Sequence, residues 1–99
     1  MYPVTFNDPT LTDRMIPTLT RVAGATNVSV SPLITGAEDF SFFQRAVPGL
    51  YIFLVSVSQG IAPETSPANH SPLYAVDEGV LPLGMRALAN LASDYLFGK

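Results

Sequence analysis

The sequence predicts an α/β fold of about three strands and three helices. The strongest indication is LYIFLVSV, residues 50–57, an apolar run of β-branched and aromatic residues with no polar face until Ser56. Such a run reads as a central strand covered on both sides. Two shorter runs, YPVTF at 2–6 and NVSV at 27–30, read as further strands. Stretches of helical period alternate with these runs, which implies at least one parallel pairing joined by a right-handed crossover.

Each element has a local reason. Asn7-Asp8-Pro9 closes the first run, Asp8 suits a helix N-cap, and Pro9 suits the first helical position. Leu11, Met15, Leu19 and Val22 then recur at spacings of four, four and three until Gly24 stops the helix. Pro17 falls inside this pattern and lacks a backbone donor, so a kink or break is expected there. The second helix is expected to start near Ala37, with Glu38 and Asp39 in its first turn, and to end at Val47-Pro48-Gly49. Residues 59–69, QGIAPETSPAN, read as a loop mounted on a rigid strand, a common place for function. The last helix begins at Asp77 and tolerates Pro82 near its start. It carries Leu81, Leu88, Leu91, Ala92, Tyr95 and Leu96 as one apolar stripe and stops at Gly98.

The 99 residues allow one core, so one domain or part of one is expected. A hydrophobic share of 47% against a charged share of 13% is more apolar than a soluble domain of this size needs. The surplus predicts exposed apolar surface that a second copy, a partner or the rest of a larger protein would cover. With a net charge of −3 and five scattered Lys and Arg there is no basic stripe, so nucleic acid is not an expected partner. No apolar run reaches the roughly 18 residues that span a bilayer, and no membrane association is expected. The chain lacks cysteine, which excludes disulfides and thiolate metal sites and fits a reducing, cytoplasmic setting.

Few residues are placed to do chemistry. His70 is the only histidine, and it stands before a Ser-Pro turn. A lone loop histidine is either a solvated side chain or a metal ligand or proton carrier, and one imidazole cannot complete a zinc site. Glu38 and Asp39 are accounted for by favourable charge at a helix start, as are Asp77 and Glu78. Ser41, Ser58 and Ser71 lack the G-x-S-x-G setting of a nucleophilic serine, and neither a phosphate loop nor a dinucleotide fingerprint is present. Phe40, Phe42, Phe43, Tyr51 and Phe53 have no interleaved basic residues and read as core.

Three blocks in order, TGAEDFSFF, VPGLYIFL and NHSPLYAVDEGVLPLGMRALANLASDYL, resemble the C-terminal part of the metal-dependent amidohydrolases. That family includes aminoacylases, hippurate hydrolases and related zinc carboxypeptidases. The opening VTFNDPTLTDRMIPTLTRVAG is similar to the stretch where that family's chain returns to its catalytic domain after an inserted lid or dimerisation domain, so the resemblance covers nearly the whole chain. It implies that residues 1–99 are the C-terminal part of a catalytic domain, a fragment of a zinc-exopeptidase-like three-layer sandwich without its N-terminal half or inserted domain. It further implies that His70 is the last ligand of a site for two divalent metal ions, zinc being expected, and that Gly36, Ala37, Glu38 and Asp39 line the substrate cleft or stand directly behind the metal ligands. The remaining ligands and the general base would lie upstream, and neither Glu38 nor Asp39 takes the base role. The sequence departs from the family at Val55, where a glycine commonly follows the Phe-Leu pair seen here as Phe53-Leu54.

The expected function is therefore part of a hydrolase acting on the amide bond of an N-acyl amino acid or small peptide. The segment alone would be inactive, would bind no metal, and would form a homo-oligomer. The alternative is a freestanding α/β interaction or dimerisation module in which His70 is a loop residue and the apolar excess is an interface.

Overall fold

The computed structural model describes residues 1–57, 60, 62, 66, 67 and 69–98. Among them are three α-helices, α1 (Pro9–Ala23), α2 (Phe40–Ala46) and α3 (Leu81–Phe97), with short 3-10 turns at Ala25–Asn27 and Glu78–Val80. The loop read over 59–69, and Ser58 before it, fall largely outside the described residues. No helix among the described residues is long and apolar enough to cross a membrane.

The α/β expectation is overturned: the described residues contain no strand and no sheet, and with them the three-layer sandwich and the α/β module both fall away. The reason lies in what a strand requires. A helix satisfies its own main chain within four residues, whereas a strand needs a neighbour in register along its length. Among the described residues, the main chain of 50–57 finds only isolated partners. The Asn7 side chain accepts from Tyr51 N–H at 2.7 Å and donates to Tyr51 O at 2.9 Å, and Asp77 N–H donates to Ser56 O at 2.7 Å. The same run is open to solvent, with Phe53 58% and Val55 57% exposed.

The helices form where local signals favour them. In α1 the Asp8 carboxylate accepts from Leu11 N–H at 2.8 Å, Pro9 fills the first turn, and Gly24, at φ 91°, ends the helix by donating to Thr20 O at 2.8 Å. The helix runs through Pro17 without a break, and Pro17 faces solvent. The second helix starts at Phe40, later than Ala37, so both acids precede it. Asp77 caps the 3-10 turn through Gly79 N–H at 2.9 Å, α3 follows from Leu81, and Gly98 closes it in the left-handed region at φ 75°.

The packing centre is the α1–α3 pair. Met15 and Val22 of α1 and Ala87 of α3 are its buried apolar side chains. A polar clamp joins them: the Thr18 hydroxyl donates to Asp94 Oδ2 at 2.6 Å, Arg21 reaches the same oxygen at 2.9 Å, and its other nitrogen reaches Asn90 Oδ1 at 2.9 Å. Arg14 lies 4.6 Å from the Tyr95 ring centre and donates to Tyr95 O at 2.9 Å. Arg86 donates to Val22 O at 3.2 Å, satisfying a carbonyl at the end of α1.

The stripe expected to pack on α3 is not the one that does. Ala87 and Asp94 face α1, while Leu81, Leu88 and Leu96 are 50%, 68% and 72% exposed. Together with Met85 they leave one apolar side of the helix uncovered. The chain as a whole exposes 7844 Å², against roughly 5,500 Å² for a folded monomer of this size.

Candidate functional site

Two short segments carry the expected site residues. The first is the turn at 36–39 that leads into α2. Its main chain is held by Ser41 N–H on Glu38 O and Phe42 N–H on Asp39 O, each at 3.1 Å. Gly36 is exposed, and a Cβ there would meet nothing within 4 Å, so the turn places no steric demand on that glycine. Ala37 and Asp39 are exposed as well, and Glu38 is half-buried.

The Glu38 carboxylate is engaged at both oxygens. Oε1 accepts from Phe40 N–H at 3.2 Å, which places negative charge at the start of α2, and Oε2 accepts from the Tyr51 hydroxyl at 2.9 Å. That hydrogen bond, aided by some burial and by the carboxylate's charge, raises the Tyr51 pKa above the ordinary tyrosine value. Tyr2 is raised in the same sense, first by its hydrogen bond to Asp39 and then by that residue's charge. The ring of Tyr2 meets Phe42 edge-on at 5.5 Å. Both acids of the turn thus sit beside a neutral phenol. The Tyr51–Glu38 bond needs the protonated phenol, so its contribution is complete below about pH 10, the unfolded value. It is lost as pH rises through the raised folded value. Ultraviolet titration of phenolate absorbance checks this: Glu38→Gln is expected to bring the Tyr51 midpoint down toward 10, and an unmoved midpoint would show that Glu38 is not the cause.

The second segment holds His70. The imidazole is exposed in a turn at residues 69–73 and takes part in no hydrogen bond or ion pair among the described residues. Behind it Ser71-Pro72-Leu73-Tyr74 closes a turn through Tyr74 N–H on Ser71 O at 3.1 Å, with the Ser71 hydroxyl accepting from Leu73 N–H at 3.1 Å. The segment is moored to residues 50–57 at two points, the Ser56–Tyr74 hydroxyl pair at 2.6 Å and the Asp77–Ser56 main-chain bond. No hydrogen bond joins His70 to the 36–39 turn among the described residues.

Among the described residues no three His, Cys, Asp or Glu side chains gather into a group able to hold an ion. His70 is exposed, and an imidazole nitrogen can supply one ligand to a metal at most. Ser41 is fully buried, and its hydroxyl has no partner among the described residues. A recess of about 330 Å³ lies between Phe6, Gln44, Val47 and Gly49, and none of the expected site residues lines it. Gly49 is required there by space, since a Cβ would come within 2.7 Å of Gln44 Cγ.

Sequence reasoning missed Tyr51, Asn7, Ser56 and Tyr74 as supports of the two segments. Tyr51 was read as core, and only its phenol oxygen, useful to a carboxylate, could have pointed elsewhere.

The family model for peptidase family M20/M25/M40 matches residues 1–94. The thermostable carboxypeptidase 2 of Saccharolobus solfataricus is 41% identical over 98 residues, covering 96% of this chain and 23% of that protein. The IAA-amino acid hydrolase ILR1-like 4 of Arabidopsis thaliana is 38% identical over 96 residues, covering 96% and 21%. The IAA-amino acid hydrolase ILR1-like 6 of the same plant is 29% identical over 99 residues, covering 100% and 21%. This chain therefore spans less than a quarter of the length of these curated relatives. No solved structure matches it.

Proposed function

The chain belongs to peptidase family M20/M25/M40, and from that premise we propose that residues 1–99 are the C-terminal part of the catalytic domain of a metal-dependent hydrolase. The bond cleaved is the amide of an N-acyl amino acid or small peptide. The family match over residues 1–94 carries this reading, and the carboxypeptidase and amino acid hydrolase names of its relatives support it.

In this reading His70 is the last ligand of a site for two divalent metal ions, zinc being the expected one. When bound, such an ion polarises the scissile carbonyl and brings a bound water's pKa to about 7. The chain's own contribution is positional. Its imidazole stands exposed and uncommitted, while the Ser71-Pro72 turn and the two bonds to Ser56 fix where that turn sits. Gly36 to Asp39 line the cleft, with the Glu38 and Asp39 carboxylates as its acidic lip. The other ligands and the base that takes the water proton belong to the preceding part of the domain, which is also what would cover the exposed side of α3. Alone, the segment is inactive and covers that side by homo-oligomerisation.

Metal removal is the direct test. Amide hydrolysis by the complete protein is expected to fall at least about tenfold on exhaustive chelation and to return with added zinc. Activity that survives in a demonstrably metal-free protein would sink the metal-dependent reading.

A further inference from the structure

Three residues far apart in the sequence, Asn7, Tyr51 and Glu38, form one hydrogen-bonded series. The Asn7 amide grips the Tyr51 main chain at two points, accepting from its N–H at 2.7 Å and donating to its C=O at 2.9 Å. One side chain thereby does what a neighbouring strand would do, and it fixes the rotation of the Tyr51 peptide. Asn7 is itself held, because Gln44 Nε2 donates to its Oδ1 at 3.1 Å while Gln44 Oε1 accepts from Phe6 N–H at 2.9 Å. The Tyr51 ring is set between Phe40, tilted at 5.7 Å, and Phe53, edge-on at 5.5 Å. With main chain and ring both fixed, the hydroxyl meets Glu38 Oε2 at 2.9 Å.

We infer that Tyr51 is a positioning residue for substrate binding: its hydroxyl holds the Glu38 carboxylate in one orientation at the cleft turn, and Asn7 holds Tyr51. The inference rests on the reading of residues 36–39 as cleft-lining. An ionised carboxylate has about four acceptor sites. The Phe40 N–H takes one on Oε1 and the Tyr51 hydroxyl one on Oε2, so each oxygen keeps capacity for a donor from outside. The matching ligand group is an N–H donor, the amide nitrogen of an acylated amino acid or a protonated amine. A glutamate left to rotate would offer the same acceptors in many directions and bind that donor less well. Glu38 thus binds, and Tyr51 acts only through it.

The test uses the complete protein and an N-acyl amino acid substrate, with chelator-sensitive hydrolysis of the parent measured first. Tyr51→Phe keeps the ring and removes the hydroxyl, and is expected to raise KM about tenfold with kcat changed less than about twofold. Glu38→Gln should raise KM at least as much, and Tyr51→Phe combined with Glu38→Gln should be no worse than Glu38→Gln alone. Asn7→Ala should raise KM in the same direction. Unchanged KM in Tyr51→Phe, additive losses in the double variant, or a fall in kcat and melting temperature with KM unmoved would each overturn the inference while leaving the hydrolase reading intact. A parent without chelator-sensitive hydrolysis would overturn both.

Discussion

With His70 as the proposed metal ligand of an amide hydrolase, its replacement by alanine is expected to lower kcat/KM of the complete protein by at least about a hundredfold, with little change in melting temperature. The two halves of this result have separate physical causes. Residues that merely orient a metal ligand cost about 10- to 100-fold when removed, so loss of a ligand itself should cost no less. The fold, by contrast, has little at stake in the imidazole, which is exposed and makes no hydrogen bond or ion pair among the described residues. Surface substitutions of that kind stay within about 0.5 kcal/mol, and the turn is held by Ser71, Tyr74 and Ser56 rather than by His70. Kinetics paired with metal analysis and thermal unfolding would check it. A fully metallated His70→Ala protein with parental kcat/KM would remove His70 from the mechanism.

Asp94→Ala is expected to destabilise the protein by about 2 kcal/mol, the largest effect of any single polar change at the α1–α3 contact. Asp94 is buried, and one of its oxygens serves both the Thr18 hydroxyl and the Arg21 guanidinium. The two partners do not lose equally. Arg21 is 54% exposed at its side chain, so water can solvate its charge and the ion pair itself contributes little. Thr18 is only 2% exposed, and its hydroxyl would be left buried without an acceptor, a loss of about 1–3 kcal/mol. A loss of that size lowers the melting temperature of a domain of this length by roughly 10 °C. Thr18→Val combined with Asp94→Leu removes donor and acceptor together and should recover most of the loss. Thermal or urea unfolding of the single and double variants decides it: a single variant that melts with its parent, or a double variant worse than the single, would show that the clamp does not act through Thr18.

The candidate site was legible in the sequence to unequal degrees. His70 stood out because it is the only histidine and is followed by Ser-Pro, both visible without a structure. The acids at 38 and 39 were visible too, yet their role was read from an assumed helix start at Ala37. With the helix beginning at Phe40, Glu38 reaches over the first N–H and out to Tyr51. That link spans 13 residues, and the Asn7–Tyr51 grip spans 44. Neither separation has a periodicity to betray it, because which side chains meet across such distances depends on how the intervening segments turn.

The sequence by itself determined both ends of α1 and the stops of α2 and α3, while it set the starts of α2 and α3 at Ala37 and Asp77 instead of Phe40 and Leu81. Asp8 and Pro9 open α1, Gly24 closes it, Asp77 precedes the last helix and Gly98 ends it, because capping and the four-residue hydrogen-bond ladder are settled among neighbours in the chain. Tertiary structure alone decided the state of the apolar runs at 2–6, 27–30 and 50–57 and the side of α3 that is buried. A strand is completed only by another strand, so among the described residues the β-rich composition of residues 50–57 yields no ladder, its main chain meeting the Asn7 side chain and the distant Asp77 N–H. In the same way, the leucines of α3 mark an apolar side, but the polar clamp from Asp94 to Thr18 and Arg21 sets which side meets α1. Hydrophobic burial has no direction of its own, whereas a hydrogen bond to a buried carboxylate does.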